Sequence, residues 1–198
     1  GSDFVTAPEL SPLFGRALAV QVAQALEACG STQVWEFGAG SGALAQQLLA
    51  ALGERVRRYC IVELSASLRE RQRERLALYG SRVCWLDALP DAMQGVVVGN
   101  EVLDAMPVQL LRWDGSAWLE RGVVATVDGY AWQDRATPLR PPLTAAPEQH
   151  YVPGYVTEIH PQAEAFIATL ADRLTRGAAF FVDYGFPAAE YYHPQRDE

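Results

Sequence analysis

The sequence predicts an α/β protein, an open, mostly parallel sheet flanked by helices and carrying an antiparallel β insertion. Three observations predict it. Short apolar runs at residues 34–37, 58–63, 82–86, 95–98 and 178–183 read as buried strands, and helical stripes precede or follow most of them. A glycine-rich turn, Glu36-Phe37-Gly38-Ala39-Gly40-Ser41-Gly42-Ala43, joins the first strand to the next helix. Two Asp-Gly pairs, Asp114-Gly115 and Asp128-Gly129, mark hairpin turns between residues 108 and 134.

The chain has 198 residues, enough for one domain with a sizeable core. A net charge of −8 argues against a nucleic-acid surface, which is normally basic. No apolar run reaches the length of a membrane span. Cys29, Cys60 and Cys84 lack metal-ligand spacing and read as free thiols, so no metal is expected.

In chain order, Thr6-Ala7-Pro8-Glu9 fits a capping box, with a second helix start at Ser11-Pro12. Leu10, Leu13, Phe14, Ala17 and Leu18 open a helical stripe that runs to Leu26 and stops at Gly30. After the first strand and the glycine turn comes a helix over residues 41–52. The second strand leads into a helix capped by Ser65 and ended by Gly80; its run Arg69-Glu70-Arg71-Gln72-Arg73-Glu74-Arg75 reads as a solvated face with i,i+4 pairing. Only about eight residues separate the third strand from the fourth, yet extended they span roughly 25 Å, so the order 3-2-1-4 is allowed. Residues 108–135 read as a three-stranded meander and 136–157 as a linker. Pro161 opens a helix through Leu174 that Gly177 ends, and a fifth buried strand follows. The expected organisation is a single domain over 1–198: a helical segment 1–32, an α/β core 33–107 and 158–198, and the insertion with its linker.

The candidate ligand edge is the carboxyl end of the strands. Three alternate glycines let the backbone approach a ligand closely, and the following helix aims its free N–H groups at the same place. Glu63 ends the second strand, where a ribose acceptor belongs. Gly38, Gly40 and Ala43 also satisfy the dinucleotide fingerprint, so the glycines alone leave NAD open. Glu36, two residues before the turn, would repel a pyrophosphate and suits the cationic groups of S-adenosyl-L-methionine. Asp87 at the third strand end is placed to take an adenine amine, or to cap the turn before Ala88-Leu89-Pro90. The candidate cofactor residues are therefore Glu36, Gly38, Ala39, Gly40, Gly42, Glu63, Leu64, Asp87, Ala88 and Asn100.

Four motifs carry a resemblance: Asp3-Phe4-Val5-Thr6-Ala7-Pro8-Glu9-Leu10-Ser11, the glycine turn, Asn100-Glu101-Val102-Leu103-Asp104-Ala105-Met106-Pro107 and Asp183-Tyr184-Gly185-Phe186. With the tail Tyr191-Tyr192-His193-Pro194-Gln195-Arg196, the chain resembles the MidA-like methyltransferase family, in family order and over nearly its whole length. The resemblance implies a class I methyltransferase Rossmann-like sheet with S-adenosyl-L-methionine as cofactor. It also implies links to protein arginine methylation and, in mitochondrial relatives, to respiratory complex I assembly. Family members extend beyond both ends of these motifs, so the chain reads as a fragment that lacks the last strands. The implied location is the bacterial cytoplasm, or the mitochondrial matrix in a eukaryote.

A guanidinium acceptor keeps its proton below pH about 12 and needs carboxylates to grip it. Glu101 and Asp104, three apart at the fourth strand end, would share one face of a helical turn and orient the acceptor, with Asn100 between the two half-sites. The competing reading makes Asp104 a helix cap and Glu101 a partner of the N-terminal segment. Glu158 is a second candidate for the same pocket, His160 reads as a helix cap, and Asp183-Tyr184 either lines the pocket or packs the strand edge. Trp113, Trp118 and Trp132 read as insertion core, although an exposed pair would mark a docking face. The functional expectation is a methyltransferase acting on a protein side chain. The alternatives are a small-molecule methyltransferase, a cofactor-binding assembly protein without turnover and an NAD(P)-dependent oxidoreductase.

Overall fold

A computed structural model describes residues 6–142 and 151–193. Asp3, Phe4 and Val5 of the first motif, Pro194, Gln195 and Arg196 of the tail, and residues 143–150 of the expected linker lie outside the described residues. The chain divides into two compact units, one from Gly1–Ala105 with Ile167–Asp183 and one from Met106–Phe166 with Tyr184–Glu198.

The first unit opens with α1 (Ala7–Leu10) and α2 (Pro12–Cys29). The second helix start expected at Ser11-Pro12 is observed: Ser11 leaves the helical region and caps α2, its Oγ accepting from the Leu13 N–H. The capping box does not form, because Thr6 makes no side-chain cap and the Glu9 carboxylate is drawn to Ser41 and Arg75, a charged partner and a hydroxyl. Next come β1 (Gln33–Phe37), α3 (Ala43–Leu52), β2 (Arg58–Val62), α4 (Ala66–Leu76), β3 (Val83–Leu86) and β4 (Met93–Asn100). A 3-10 segment, Ala77–Arg82, follows α4 and turns at Gly80, φ 54°.

The last strand of this unit, β9 (Leu174–Val182), completes a parallel sheet of order β3-β2-β1-β4-β9. Residues 34–37 and 95–99 are buried, as strands covered on both faces require. Leu44, Leu48 and Leu49 of α3 and Val22 and Leu26 of α2 pack with Val34, Ile61, Val96 and Val98 as one core. Gly177 does not end a helix. The α5 helix (Pro161–Arg173) stops earlier, and Gly177 lies within β9 opposite Gly95, where a Cβ would strike the Gly95 carbonyl.

The second unit holds β5 (Gln109–Trp113), β6 (Trp118–Thr126), β7 (Gly129–Ala136) and β8 (Val156–Ile159) in an antiparallel sheet of order β7-β6-β5-β8. The meander thus gains a fourth strand from the end of the expected linker, β8 pairing with β5. Tyr151 and Tyr155 are buried with Leu111, Trp113, Trp118 and Ile159, and Trp118 meets Tyr151 edge-on at 5.2 Å between ring centroids. Trp132 is the exception among the insertion tryptophans: it is 61% exposed, with Arg121 over its ring. A short helix, α6 (Ala188–Tyr191), lies near the end of the described chain.

Candidate functional site

Because the five strands of the first unit are parallel, their carboxyl ends share one edge. In lateral order that edge presents Asp87, Glu63, the glycine turn, Asn100-Glu101 and Asp183.

The turn uses glycine for two different reasons. Gly38, Gly40 and Gly42 have φ of 62°, 53° and 83°, in the left-handed region. A Cβ on Gly38 would also lie 2.9 Å from Val102 Cγ2, so packing within the protein forbids it. Above Gly40 a Cβ would meet nothing within 4 Å, so this position faces open space that a close-approaching ligand can fill. The Gly42 N–H closes the turn on the Ala39 carbonyl at 2.7 Å, and α3 begins at Ala43. On the outer side, Ser41 and Arg75 hold Glu9 of α1, with Arg75 Nη1 3.0 Å from the carboxylate. These contacts hold the Glu9 carboxyl below its ordinary range, the Ser41 hydroxyl contributing most.

Beneath the turn, Glu36 is 1% exposed and accepts from the Tyr59 hydroxyl at 2.7 Å. Burial pushes its carboxyl up to about 7, against a smaller opposing effect of the Tyr59 hydrogen bond. Burial, and then the carboxyl itself, drives the Tyr59 phenol well above its usual value.

Glu63, just past β2, is oriented from three directions. Its Oε1 accepts the Ser65 N–H at 2.8 Å, and its Oε2 accepts from Gln72 Nε2 at 3.2 Å. Its backbone carbonyl accepts Arg69 Nε at 2.6 Å. Arg69 also reaches the Leu86 carbonyl at 3.0 Å and the Asp87 carboxylate, tying the ends of β2 and β3 together. Asp87 is therefore ion-paired, with its side chain 85% exposed. Leu64 and Ala88 are exposed on the same edge.

The basic run is not simply a solvated face. Arg69 and Arg75 anchor the edge, Arg73 lies 5.3 Å from the Trp85 ring centroid, and Gln72 is wholly buried. Gln72 carried no signal in the sequence, being the lone amide in an Arg/Glu run. In the structure it shares the buried face of α4 with Leu76, one turn further on.

At the end of β4, Asn100 Nδ2 lies 3.5 Å from Glu101 Oε1. Glu101 has φ 52°, the one described non-glycine residue in the left-handed region. Its N–H donates to the Val182 carbonyl at 2.9 Å, and the Leu103 N–H to Asp183 Oδ2 at 2.9 Å. Residues 101–106 form bends and a turn, not a helix, so the expected sharing of a helical face by Glu101 and Asp104 does not occur. The left-handed Glu101 breaks the helical path at its first residue, and Asp104 is exposed.

Glu158 and His160 belong to the second unit. The Glu158 carbonyl accepts from the Tyr192 hydroxyl; His160 stands at the start of α5, its carbonyl accepting the Glu164 N–H at 3.2 Å, while its ring lies 3.1 Å from the Met106 carbonyl. Among the described residues no group of three or more His, Cys, Asp or Glu side chains is arranged to hold a metal ion, and no helix is long and apolar enough to cross a membrane.

Residues 17–198 match the family described as S-adenosyl-L-methionine-dependent methyltransferase. A crystal structure of a Burkholderia thailandensis protein bound to S-adenosyl-homocysteine is 52% identical and superposes with a TM-score of 0.89, covering 100% of this chain and 53% of that one. A native crystal structure from the same organism is 50% identical with a TM-score of 0.86, covering 99% and 55%. Two curated relatives carry the name protein arginine methyltransferase NDUFAF7 (one as its homolog), both mitochondrial. The Caenorhabditis elegans protein is 27% identical, over 98% of this chain and 53% of its own length. The Xenopus tropicalis protein is 28% identical, over 92% and 51%. The chain spans about half the length of the curated relatives it matches. With its class I sheet and its glycine turn, the chain belongs to the MidA-like family of S-adenosyl-L-methionine-dependent methyltransferases.

Proposed function

We propose that this chain carries the cofactor half-site of a methyltransferase that uses S-adenosyl-L-methionine to methylate a protein arginine side chain. The observation that carries the reading is the setting of the glycine turn, with buried Glu36 beneath it and an oriented Glu63 beside it. The S-adenosyl-homocysteine bound to the Burkholderia protein supports the cofactor, and the names of the mitochondrial relatives support arginine. When bound, the cofactor supplies a methyl group on a sulfonium, whose departure leaves a neutral thioether.

The residues of the chain bind, orient and take up a proton. Both oxygens of Glu63 use one lone pair inside the protein and keep another for ribose hydroxyls. Glu36, with its pKa near 7, gains its charge most readily beside a cation, so cofactor binding is coupled to proton release from Glu36. The open space at Gly40 admits the ligand against the backbone. To Asp87 and Ala88 we assign the adenine end, and to Leu64 the wall beside the ribose. Transfer to a guanidinium expels a proton from the nitrogen that is methylated; we assign its capture to a carboxylate oxygen of Glu101, with Asp104 gripping the fork and Asn100 separating the half-sites. The left-handed backbone of Glu101 costs about 1–3 kcal/mol and favours a role for this residue.

The exposed, non-helical placement of Asp104 favours a second reading, a cofactor-binding assembly protein without turnover. Titration calorimetry of the full-length protein with S-adenosyl-homocysteine and with NAD tests the first half: heat with the former and none with the latter is expected. Transfer of labelled methyl from S-adenosyl-L-methionine to an arginine-bearing protein tests the second. Binding without transfer would favour the assembly reading.

A further inference from the structure

We infer that Gln72 is a positioning residue for cofactor recognition, setting the carboxylate of Glu63 and the carbonyl of Gly40 at a fixed separation. The inference rests on the proposed role of Glu63 as ribose acceptor. Gln72 is 0% exposed, and its amide makes three hydrogen bonds. The indole N–H of Trp85 can only donate, and it lies 2.9 Å from Gln72 Oε1. That contact fixes which way the amide points. Both amide hydrogens then face outward from α4, one to the Gly40 carbonyl at 2.8 Å and one to Glu63 Oε2 at 3.2 Å.

Three elements are joined by one side chain: the glycine turn after β1, the carboxylate after β2 and an indole on β3. The Ser65 N–H fixes the other oxygen of Glu63, so its carboxylate plane has two separate anchors. Without Gln72, Glu63 keeps one anchor and can rotate about it. The Gly40 carbonyl loses its restraint at the position that faces open space. Gln72 thus acts on the ligand through Glu63 and Gly40, without a contact of its own being required.

The test is calorimetric titration of the full-length protein with two probes, S-adenosyl-homocysteine and its 2′,3′-dideoxy analogue. Glu63→Gln examines the underlying reading and is expected to erase most of the preference for the hydroxylated probe. If it keeps that preference, the ribose role of Glu63 fails, and the role of Gln72 fails with it. Gln72→Met keeps the volume and removes both donors. It is expected to weaken S-adenosyl-homocysteine about tenfold while changing the dideoxy probe by less than about twofold. An equal loss for both probes, with Glu63→Gln behaving as expected, would mean that Gln72 merely packs and would overturn the inference. Trp85→Phe gives a second route should Gln72→Met fold poorly. It frees the amide to flip and is expected to reduce the same preference about threefold; an unchanged preference would count against the inference equally.

Discussion

Glu63 and Asp87, at the ends of β2 and β3, are held by side chains of α4, whereas Glu101, at the end of β4, is held through its backbone. On the first side, Gln72 and Arg69 project from a regular helix and lock carboxylates and strand ends together. On the second, the Val182 carbonyl and the Asp183 carboxylate take the N–H groups of Glu101 and Leu103, and the Glu101 carboxylate meets Asn100 only at 3.5 Å. Side chains fixed in this way form a prebuilt surface at the ends of β2 and β3. The turn after β4 is braced by two N–H groups, and its carboxylates by no side chain of a helix among the contacts described above. Preorganisation is thus concentrated on one side of the glycine turn.

Four substitutions can break or sharpen this contrast. The largest effect is expected from Glu101→Ala, which should lower methyl transfer on the order of 10³-fold while leaving S-adenosyl-homocysteine affinity within about threefold. A loss of cofactor affinity would move Glu101 to the other half-site. Gly40→Val should reduce that affinity on the order of 10³-fold, since its side chain enters the open space and its φ of 53° suits glycine; retained binding would place the ligand elsewhere.

The third concerns Glu36, whose folded pKa of about 7 lies above the ordinary value of 4.5. A raised folded pKa means that its stabilising effect is complete below pH 4.5 and is lost as pH rises through 7, by about 3 kcal/mol in all. Glu36→Gln removes this dependence. In denaturant titrations from pH 4.5 to 8, the stability of the variant relative to the parent should rise by that amount, and the opposite slope would refute the burial argument. The smallest effect is expected from Glu101→Gly. It relieves a left-handed residue and should stabilise by about 1 kcal/mol in the same assay, separating backbone strain from the carboxylate.

Much of this was legible before any coordinates. The strands announce themselves as apolar runs, and once they are parallel, Glu63, Asp87, Asn100 and Asp183 must fall on one edge. Other features were hidden for physical reasons. Gln72 sits among charges that a helical wheel assigns to water, and only tertiary packing turns it inward. Val156-Thr157-Glu158-Ile159 is a four-residue alternation beside a Pro-rich stretch, too short to stand out from a loop. Gly177 follows a helical pattern as a terminating glycine would, yet its reason is the backbone of Gly95 across the sheet. Glutamate is rarely left-handed, so nothing at Glu101 forecast its φ.

The pairing of Gly95 with Gly177 also bears on the order of assembly. β4 and β9 are adjacent in the sheet but are the strand partners most distant in sequence, with the excursion of about sixty residues through the second unit between them. Closing that loop as disordered chain is slow. The second unit can shorten it by condensing first, because β5, β6 and β7 pair with near neighbours around Trp113 and Trp118. On that route β9 is the last strand added to the sheet, and Gly177 lets its backbone approach the Gly95 carbonyl. A methyl group at Gly177 would strike the Gly95 carbonyl and obstruct this pairing, whereas one at Gly95 would strike the Gln33 carbonyl of β1.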